Sequence, residues 1–147
     1  MSPVARIVFV AEPPAQYLAR PPAAVDCSVL CAVLFDEPAR GEAERLMSGR
    51  RLLSPALLSD EFSNVALKKL RRGMPEVVVR RALRDFADHD IDLLPTEQLP
   101  AFDLALQYAL SADDAAYLWP AADRKVPLLT YDQRMGVAAK THLGKLS

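Results

Sequence analysis

Two hydrophobic periods alternate along the chain from Ala23 onward. Short apolar runs typical of buried strands are followed by longer stretches in which apolar residues recur every three or four positions, as in an amphipathic helix. This alternation is typical of βαβ units, in which helices cover both faces of a parallel sheet. It predicts the α/β class and a three-layer sandwich with a central, mostly parallel sheet of four or five strands.

The bounds of the predicted elements follow from changes of period and from the positions of proline and glycine. Strands are expected at residues 23–26, 51–53, 91–94 and 126–130. Helices are expected at residues 28–35, 39–48, 54–72, 75–89, 99–109, 112–124 and 133–142. Ser54 and Pro55 are typical of a helix start, with serine as the N-cap and proline at the first helical position.

Residues 1–22 differ from the rest of the chain, because proline pairs interrupt them at residues 13–14 and 21–22. We therefore divide the chain into an N-terminal extension, residues 1–22, and one domain, residues 23–147. Within the extension only residues 7–11 have the apolar character of a strand. They could add a strand at an edge of the sheet.

Composition and charge limit the classes of protein to which the chain can belong. A chain of 147 residues with 51% hydrophobic and 25% charged residues is typical of one globular domain. No apolar run approaches the roughly 20 residues of a membrane span, and the N-terminus lacks the apolar core of a secretory signal. We therefore expect a cytoplasmic protein without a membrane partner. The net charge of −1 gives no overall attraction to nucleic acid, so any attraction must be local.

Such a local attraction is predicted for residues 68–84, called here the basic segment, which contains a single acid, Glu76. The simpler interpretation is an ordinary solvated face of two helices. The functional interpretation is a surface that binds the phosphates of RNA. The basic residues are Lys68, Lys69, Arg71, Arg72, Arg80, Arg81 and Arg84.

Several acids have an ordinary structural explanation when each is considered alone. Asp26 and Asp132 follow predicted strands and precede predicted helices, where aspartate commonly acts as an N-cap. Asp114 follows Ser111 at the spacing of a capping box. Glu61 could be a solvated helix residue.

The joint arrangement of these acids favours a functional site. In an open parallel sheet, ligands bind beyond the carboxyl ends of the strands, and Asp26 and Asp132 both lie at such ends. Glu61 shares a polar helical stripe with Asn64 and Lys68. Crowded carboxylates raise one another's pKa unless a cation neutralises them. We therefore expect a divalent metal, and oxygen ligands indicate Mg²⁺ or Mn²⁺.

Helical phase separates the neighbouring acids Asp113 and Asp114. Asp114 shares a stripe with Leu118 and Ala121, an apolar line that should face the sheet. We therefore predict Asp114 as the metal ligand. Asp113 is expected to benefit from the helix dipole or to support the site from outside.

Four segments resemble those of the PIN-domain family in their order along the chain. The gaps of 35, 53 and 18 residues between the matched acids are similar to those of VapC-type toxin ribonucleases from bacterial toxin–antitoxin pairs. The resemblance covers residues 23 to 144 approximately. The segments are VDCSVLCAVLFDEP, SDEFSNVALKKL, SADDAAYLWPAA and VPLLTYDQRM.

The resemblance implies a PIN-like fold, an activity and a set of site residues. The implied activity is that of a Mg²⁺- or Mn²⁺-dependent endoribonuclease, in which metal-activated water hydrolyses RNA phosphodiesters. The implied partners are an RNA substrate, a VapB-type antitoxin and a second copy in a homodimer. The implied catalytic acids and metal ligands are Asp26, Glu61, Asp114 and Asp132. The implied supporting residues are Ser28, Asn64 and Thr130. Asp113 is a further supporting residue on the helical-phase argument above, not through the resemblance.

The chain also departs from the usual pattern of this family. Asp113 stands where an aromatic residue is frequent, and the C-terminal strand expected after the last helix is reduced to about residues 145–147.

Other functions are also conceivable for the same residues. A phosphoacceptor receiver domain would need an acid at the end of the third strand, where Leu94 and Pro95 stand. A haloacid-type phosphatase would need an acid two residues after Asp26, where Ser28 stands. A PIN-type RNA-maturation nuclease without an antitoxin stays open. So does a non-catalytic PIN-fold binding or regulatory module.

Overall fold

Strands and helices alternate in the computed structural model, which describes residues 6–12 and 21–146. The described residues form the strands β1 (Phe9–Ala11), β2 (Ala23–Val25), β3 (Leu52–Pro55), β4 (Ile91–Leu94) and β5 (Leu128–Thr130). Their helices are α1 (Cys27–Leu34), α2 (Arg40–Met47), α3 (Leu57–Arg71), α4 (Glu76–Asp88), α5 (Gln98–Tyr108), α6 (Ala112–Arg124) and α7 (Gln133–Leu143). From Ala23 onward every predicted helix and strand up to α7 is present. β4 and α6 have the predicted bounds, and each of the others differs by one to three residues at one end or both.

One sheet joins the strands in the order β1-β5-β2-β3-β4. β5, β2, β3 and β4 run parallel to one another, whereas β1 pairs antiparallel with β5 at the edge. Every residue of β2, β3 and β5 is buried, as expected for parallel strands whose two faces are covered by helices.

The helices form a layer on each face of this sheet. In one layer α1 packs against α2, α3 and α4, and in the other α6 packs against α5 and α7. The predicted three-layer α/β sandwich with a mostly parallel sheet is therefore confirmed. Within the described residues, no helix combines the length and the hydropathy that crossing a membrane requires.

A stack of three phenylalanine rings holds α3 in place. The Phe62 ring lies 5.3 Å from that of Phe35 and 4.6 Å from that of Phe86, measured between ring centroids. Phe62 is fully buried, and each aromatic pair adds about 0.5–1.5 kcal/mol beyond the burial of area. Because Glu61 precedes Phe62, this packing also fixes where Glu61 leaves the helix.

The strand anticipated within residues 7–11 is observed as β1. Phe9 pairs with Thr130 and Ala11 with Leu128, and Ala11 is fully buried. The Phe9 ring lies over Gly136 of α7, where a Cβ atom would overlap the ring. The absence of a side chain at Gly136 therefore allows β1 to close the edge of the sheet.

Two local predictions were wrong. Ser54 and Pro55 do not start a helix: they end β3, and α3 begins at Leu57 after Ala56. The Ser54 side chain is fully buried and its hydroxyl donates to the Val25 carbonyl of β2 at 2.8 Å. It therefore bonds to a backbone group of the neighbouring strand instead of capping a helix. Residues 145 and 146 form no strand after α7, and residue 147 lies outside the described residues.

Candidate active site

The strand order reverses between β2 and β5, and an acid lies just beyond the end of each of these strands. The chain passes from β2 to β3 and β4 on one side, then returns to β5 on the other side. Asp26 follows β2 and Asp132 lies two residues after the end of β5. Both also cap helices, since the Asp26 side chain accepts from Val29 N and that of Asp132 from Met135 N. Asp26 and Asp132 therefore cap helices and also lie at the edge of the sheet where ligands bind in parallel α/β folds.

Two hydroxyl groups hold Asp26. Ser28 Oγ donates to Asp26 Oδ1 at 2.6 Å, and Thr130 Oγ1 donates to Asp26 Oδ2. Each hydroxyl also accepts from the backbone after β5, Ser28 from Tyr131 N and Thr130 from Asp132 N, both at 2.9 Å. The predicted supporting residues Ser28 and Thr130 thus join the ends of β2 and β5.

A third contact, which was not predicted from the sequence, fixes Glu61. The Tyr117 hydroxyl of α6 donates to Glu61 Oε2 of α3 at 2.8 Å. Tyr117 is only 2% exposed, and burial and the nearby Glu61 raise the pKa of its hydroxyl, which stays a donor. The sequence did contain one indication of this contact. Tyr117 lies among apolar residues of a predicted helix, and a buried tyrosine hydroxyl needs a hydrogen-bond partner.

Asp113 and Asp114 both lie in the first turn of α6. Asp114 is half-buried and Asp113 is exposed. Leu118 and Ala121 are buried as the phase argument required, but so are Ala116, Tyr117 and Pro120 on the stripe of Asp113. Helical phase therefore separates the two acids less sharply than expected, and burial is the clearer difference between them.

Electrostatic repulsion links these acids to one another. Burial raises the pKa of Asp26 to about 6, and Asp132 adds to the rise. Burial also raises the pKa of Glu61, with further contributions from Asp113, Asp26 and Asp114. The pKa of Asp114 is raised by burial and then by Asp132. Within the described residues, no cationic side chain lies within 4.0 Å of these carboxylates to form a salt bridge.

The chemistry of this set fits a hard divalent cation, although the side chains do not converge on one point. All donors are carboxylate oxygens, which Mg²⁺ and Mn²⁺ prefer. Asp26 accepts three hydrogen bonds from Ser28, Val29 N and Thr130, so one of about four lone-pair positions is free for a metal. Within the described residues, no three His, Cys, Asp or Glu side chains lie close enough to hold a metal as they stand.

The remaining predicted residues lie apart from this acidic crevice or on its rim. Asn64 is exposed, and no hydrogen bond joins its side chain to the acids in the part of the chain that the structure describes. Lys69 is engaged elsewhere, because its Nζ lies 3.3 Å from Glu37 and 4.9 Å from the centroid of the Phe35 ring. Arg80 pairs with Glu76 at 3.5 Å on the same helix.

Arg81 faces a different region. It lines a cleft of about 850 Å³ between α1, α2 and α4, which contains none of the acids described above. Asp85 and Asp88 line the same cleft, and their charges oppose phosphate binding there. The exposed residues Lys68, Arg71, Arg72, Arg80 and Arg84 are therefore the stronger part of the basic segment.

Comparisons with known proteins agree with the topology. The fold is similar to the crystal structure of PAE2754 from Pyrobaculum aerophilum, with a TM-score of 0.66, 20% sequence identity, and coverage of 87% of this chain and 90% of that one. No curated protein sequence matches the chain significantly. The model of the PIN domain family matches residues 23–141. The chain therefore belongs to the PIN domain family.

Proposed function

We propose that the protein is a Mg²⁺- or Mn²⁺-dependent endoribonuclease. PIN domains are generally nucleases, and the observation that carries the proposal is the crevice beyond β2 and β5, in which burial and neighbouring carboxylates raise the pKa of Asp26, Glu61 and Asp114. Such a set is stabilised by a divalent cation. The same cation can promote phosphodiester hydrolysis. The repulsion between the clustered carboxylates is therefore consistent with a catalytic metal site.

Asp26, Glu61, Asp114 and Asp132 would hold the cation. When bound, it would lower the pKa of a coordinated water and stabilise the leaving oxygen of the phosphodiester. The chain itself positions these ligands. Ser28 and Thr130 orient both oxygens of Asp26, and the Tyr117 hydroxyl orients one oxygen of Glu61.

The finer proposal is a toxin ribonuclease that pairs with a VapB-type antitoxin. It is supported by the order of the four acidic motifs and by the uncompensated charge of the crevice, which a basic side chain of a partner could neutralise. A homodimer belongs to the same proposal. It is supported by an exposed stripe on α5, where Leu99, Phe102 and Leu106 are 71%, 58% and 69% exposed, a pattern typical of interaction surfaces.

Cleavage of RNA by the purified protein tests the nuclease proposal. We expect wild-type protein to cleave single-stranded RNA in Mg²⁺ or Mn²⁺ and to stop in excess chelator, because the carboxylates need the cation to act on a phosphate. Product lengths on denaturing gels would distinguish internal cuts from trimming of the ends. Undiminished cleavage in chelator would contradict metal dependence, and binding without cleavage in either metal would favour the non-catalytic PIN-fold module.

The basic segment gives a separate prediction about binding. Arg80 and Arg84 are exposed and one turn apart on α4, so Arg80→Glu/Arg84→Glu should weaken RNA binding. The slope of log K against log salt should also become shallower, by about 0.7 for each phosphate that the protein no longer neutralises. Fluorescence anisotropy in chelator, which prevents cleavage, measures both quantities.

The double variant Arg51→Glu/Arg124→Glu is the matched control, because it makes the same charge change on exposed side chains beside the start of β3, at the edge of the sheet opposite the acids. An unchanged affinity and slope in the Arg80/Arg84 variant would show that the basic segment does not contact RNA.

A further inference from the structure

A second cleft lies along α7, from Gln133, the residue after Asp132, to Thr141, about two turns farther along the helix. Its volume is about 540 Å³, within the range of sites that take small ligands. One wall is the C-terminal end of α5, and the other is a face of α7 that begins directly after Asp132. The lining residues are Tyr108, Gln133, Arg134, Val137, Ala138 and Thr141.

The cleft presents a fixed aromatic ring and an apolar floor. The Tyr108 hydroxyl shares a hydrogen bond with His142 Nδ1 at 2.8 Å, and the two rings meet edge to face with centroids 5.3 Å apart. Val137 is 54% exposed, an apolar residue on the outer face of α7, whose other exposed residues include Gln133, Arg134 and Thr141. A flat, apolar ligand could cover both side chains.

A cationic side chain, that of Arg134, lies at the end of this cleft nearest to Asp132. Arg134 is exposed, and in the described residues no carboxylate lies within 4.0 Å of its guanidinium. It is still near enough to Asp114 to stabilise that carboxylate. A guanidinium in this place can bind a phosphate that approaches the acidic crevice.

We propose that this cleft is a nucleotide subsite, in which Tyr108 and Val137 contact a base of the bound RNA strand and Arg134 contacts a phosphate between that base and the cleaved bond. The inference rests on the proposed nuclease function. An RNA strand fits the cleft better than a protein segment does, because the cleft begins at Gln133, directly after Asp132, and because the charge of Arg134 complements a phosphate. The subsite would give the enzyme a base preference, which the basic segment, as a phosphate-binding surface, cannot give.

The test compares Tyr108→Ala, Tyr108→Phe and Arg134→Ala with wild type on RNA oligonucleotides that differ in one base at a time on either side of the cleaved bond. We expect Tyr108→Ala to raise KM by about tenfold, the scale of removing one base–aromatic stack, and to flatten the base preference. Tyr108→Phe keeps the ring and should keep both properties. Arg134→Ala should raise KM on all substrates with the base preference retained.

Arg134→Ala changes an exposed side chain, so it tests the subsite even if Tyr108→Ala folds poorly. Wild-type KM and base preference in both alanine variants would overturn the inference and leave the nuclease proposal intact. Equal losses in Tyr108→Ala and Tyr108→Phe, with the base preference unchanged, would also overturn it, because they would show a structural role for the hydroxyl. A wild-type protein that cleaves no RNA would refute the nuclease proposal, and RNA binding equal in wild type and variants would then refute the subsite separately.

Discussion

Asp26→Asn should reduce RNA cleavage by about 100-fold or more, because changes around metal ligands alone cost about 10- to 100-fold in metal affinity or activity. Asp26 is 4% exposed and is the buried acid of the crevice. Asparagine keeps its size but removes the negative charge that would hold the cation. Initial rates across a Mg²⁺ titration measure the loss, and Asp123→Asn at the exposed C-terminal end of α6 makes the same chemical change outside the crevice. Cleavage by Asp26→Asn at the rate of the control would refute its role.

The same substitution should stabilise the fold at neutral pH. Burial raises the pKa of Asp26 from 3.8 to about 6, so the folded state resists its ionisation. Protonated Asp26 therefore contributes to the free energy of unfolding of the wild type. This contribution is fully present below pH 4 and is lost as the pH rises through about 6. Asparagine does not titrate, so the variant should gain about 2–3 kcal/mol over wild type at pH 7 and little at pH 4.

Urea denaturation of the two proteins from pH 4 to pH 8, without metal, measures this difference. The asparagine must still accept from Ser28 and Val29 N, and the Thr130 hydroxyl must turn to accept from the new amide. A stability difference that does not grow between pH 4 and pH 7 would contradict the raised pKa. Added Mg²⁺ should narrow the difference, since binding to the folded wild type stabilises it by mass action.

Asp114→Asn should cost at least about tenfold more activity than Asp113→Asn, on the scale of a changed metal site. Asp114 is half-buried and the charge of Asp132 raises its pKa, whereas Asp113 is exposed. The two variants remove the same charge from the same helical turn, so each is the control for the other. Measured kcat/KM values, together with the Mn²⁺ concentration for half-maximal rate, separate loss of metal binding from loss of substrate binding.

An equal or larger effect of Asp113→Asn would reverse the assignment. This outcome has a basis in the structure, because Asp113 raises the pKa of Glu61 more than Asp26 or Asp114 does. In that case Asp113 and Glu61 would form the ligand pair on the α3 and α6 side of the crevice.

The parts of the site that could be predicted are those that depend on strand ends. Asp26 and Asp132 follow short apolar runs, and a parallel sheet brings the ends of such runs to one edge, so their proximity follows from topology. Ser28 and Thr130 were matched by resemblance to a family. The structure adds that each hydroxyl donates to Asp26 and accepts from the backbone after β5.

What could not be predicted depends on contacts between distant segments. The bond from Tyr117 to Glu61 joins residues 56 apart, and no spacing rule connects them. Ser54 and Pro55 have the local signature of a helix start, but the buried Val25 carbonyl needed a donor and the tertiary contact prevailed. Lys69 belongs to a basic run, yet its position on α3 turns it toward Glu37.

The direction of β1 has a practical consequence for anyone who measures metal binding. Because β1 is antiparallel to β5, the chain enters the sheet on the side of the acids, where Arg6 lies over the ring of Tyr131 at 5.4 Å. Five extended residues span at most about 18 Å, so a polyhistidine tag fused before residue 1 would begin within that distance of Arg6. Its imidazoles would then compete for the cation under study. A tag fused after residue 147 would follow the far end of α7, which lies about 16 Å from Asp132 along the helix axis.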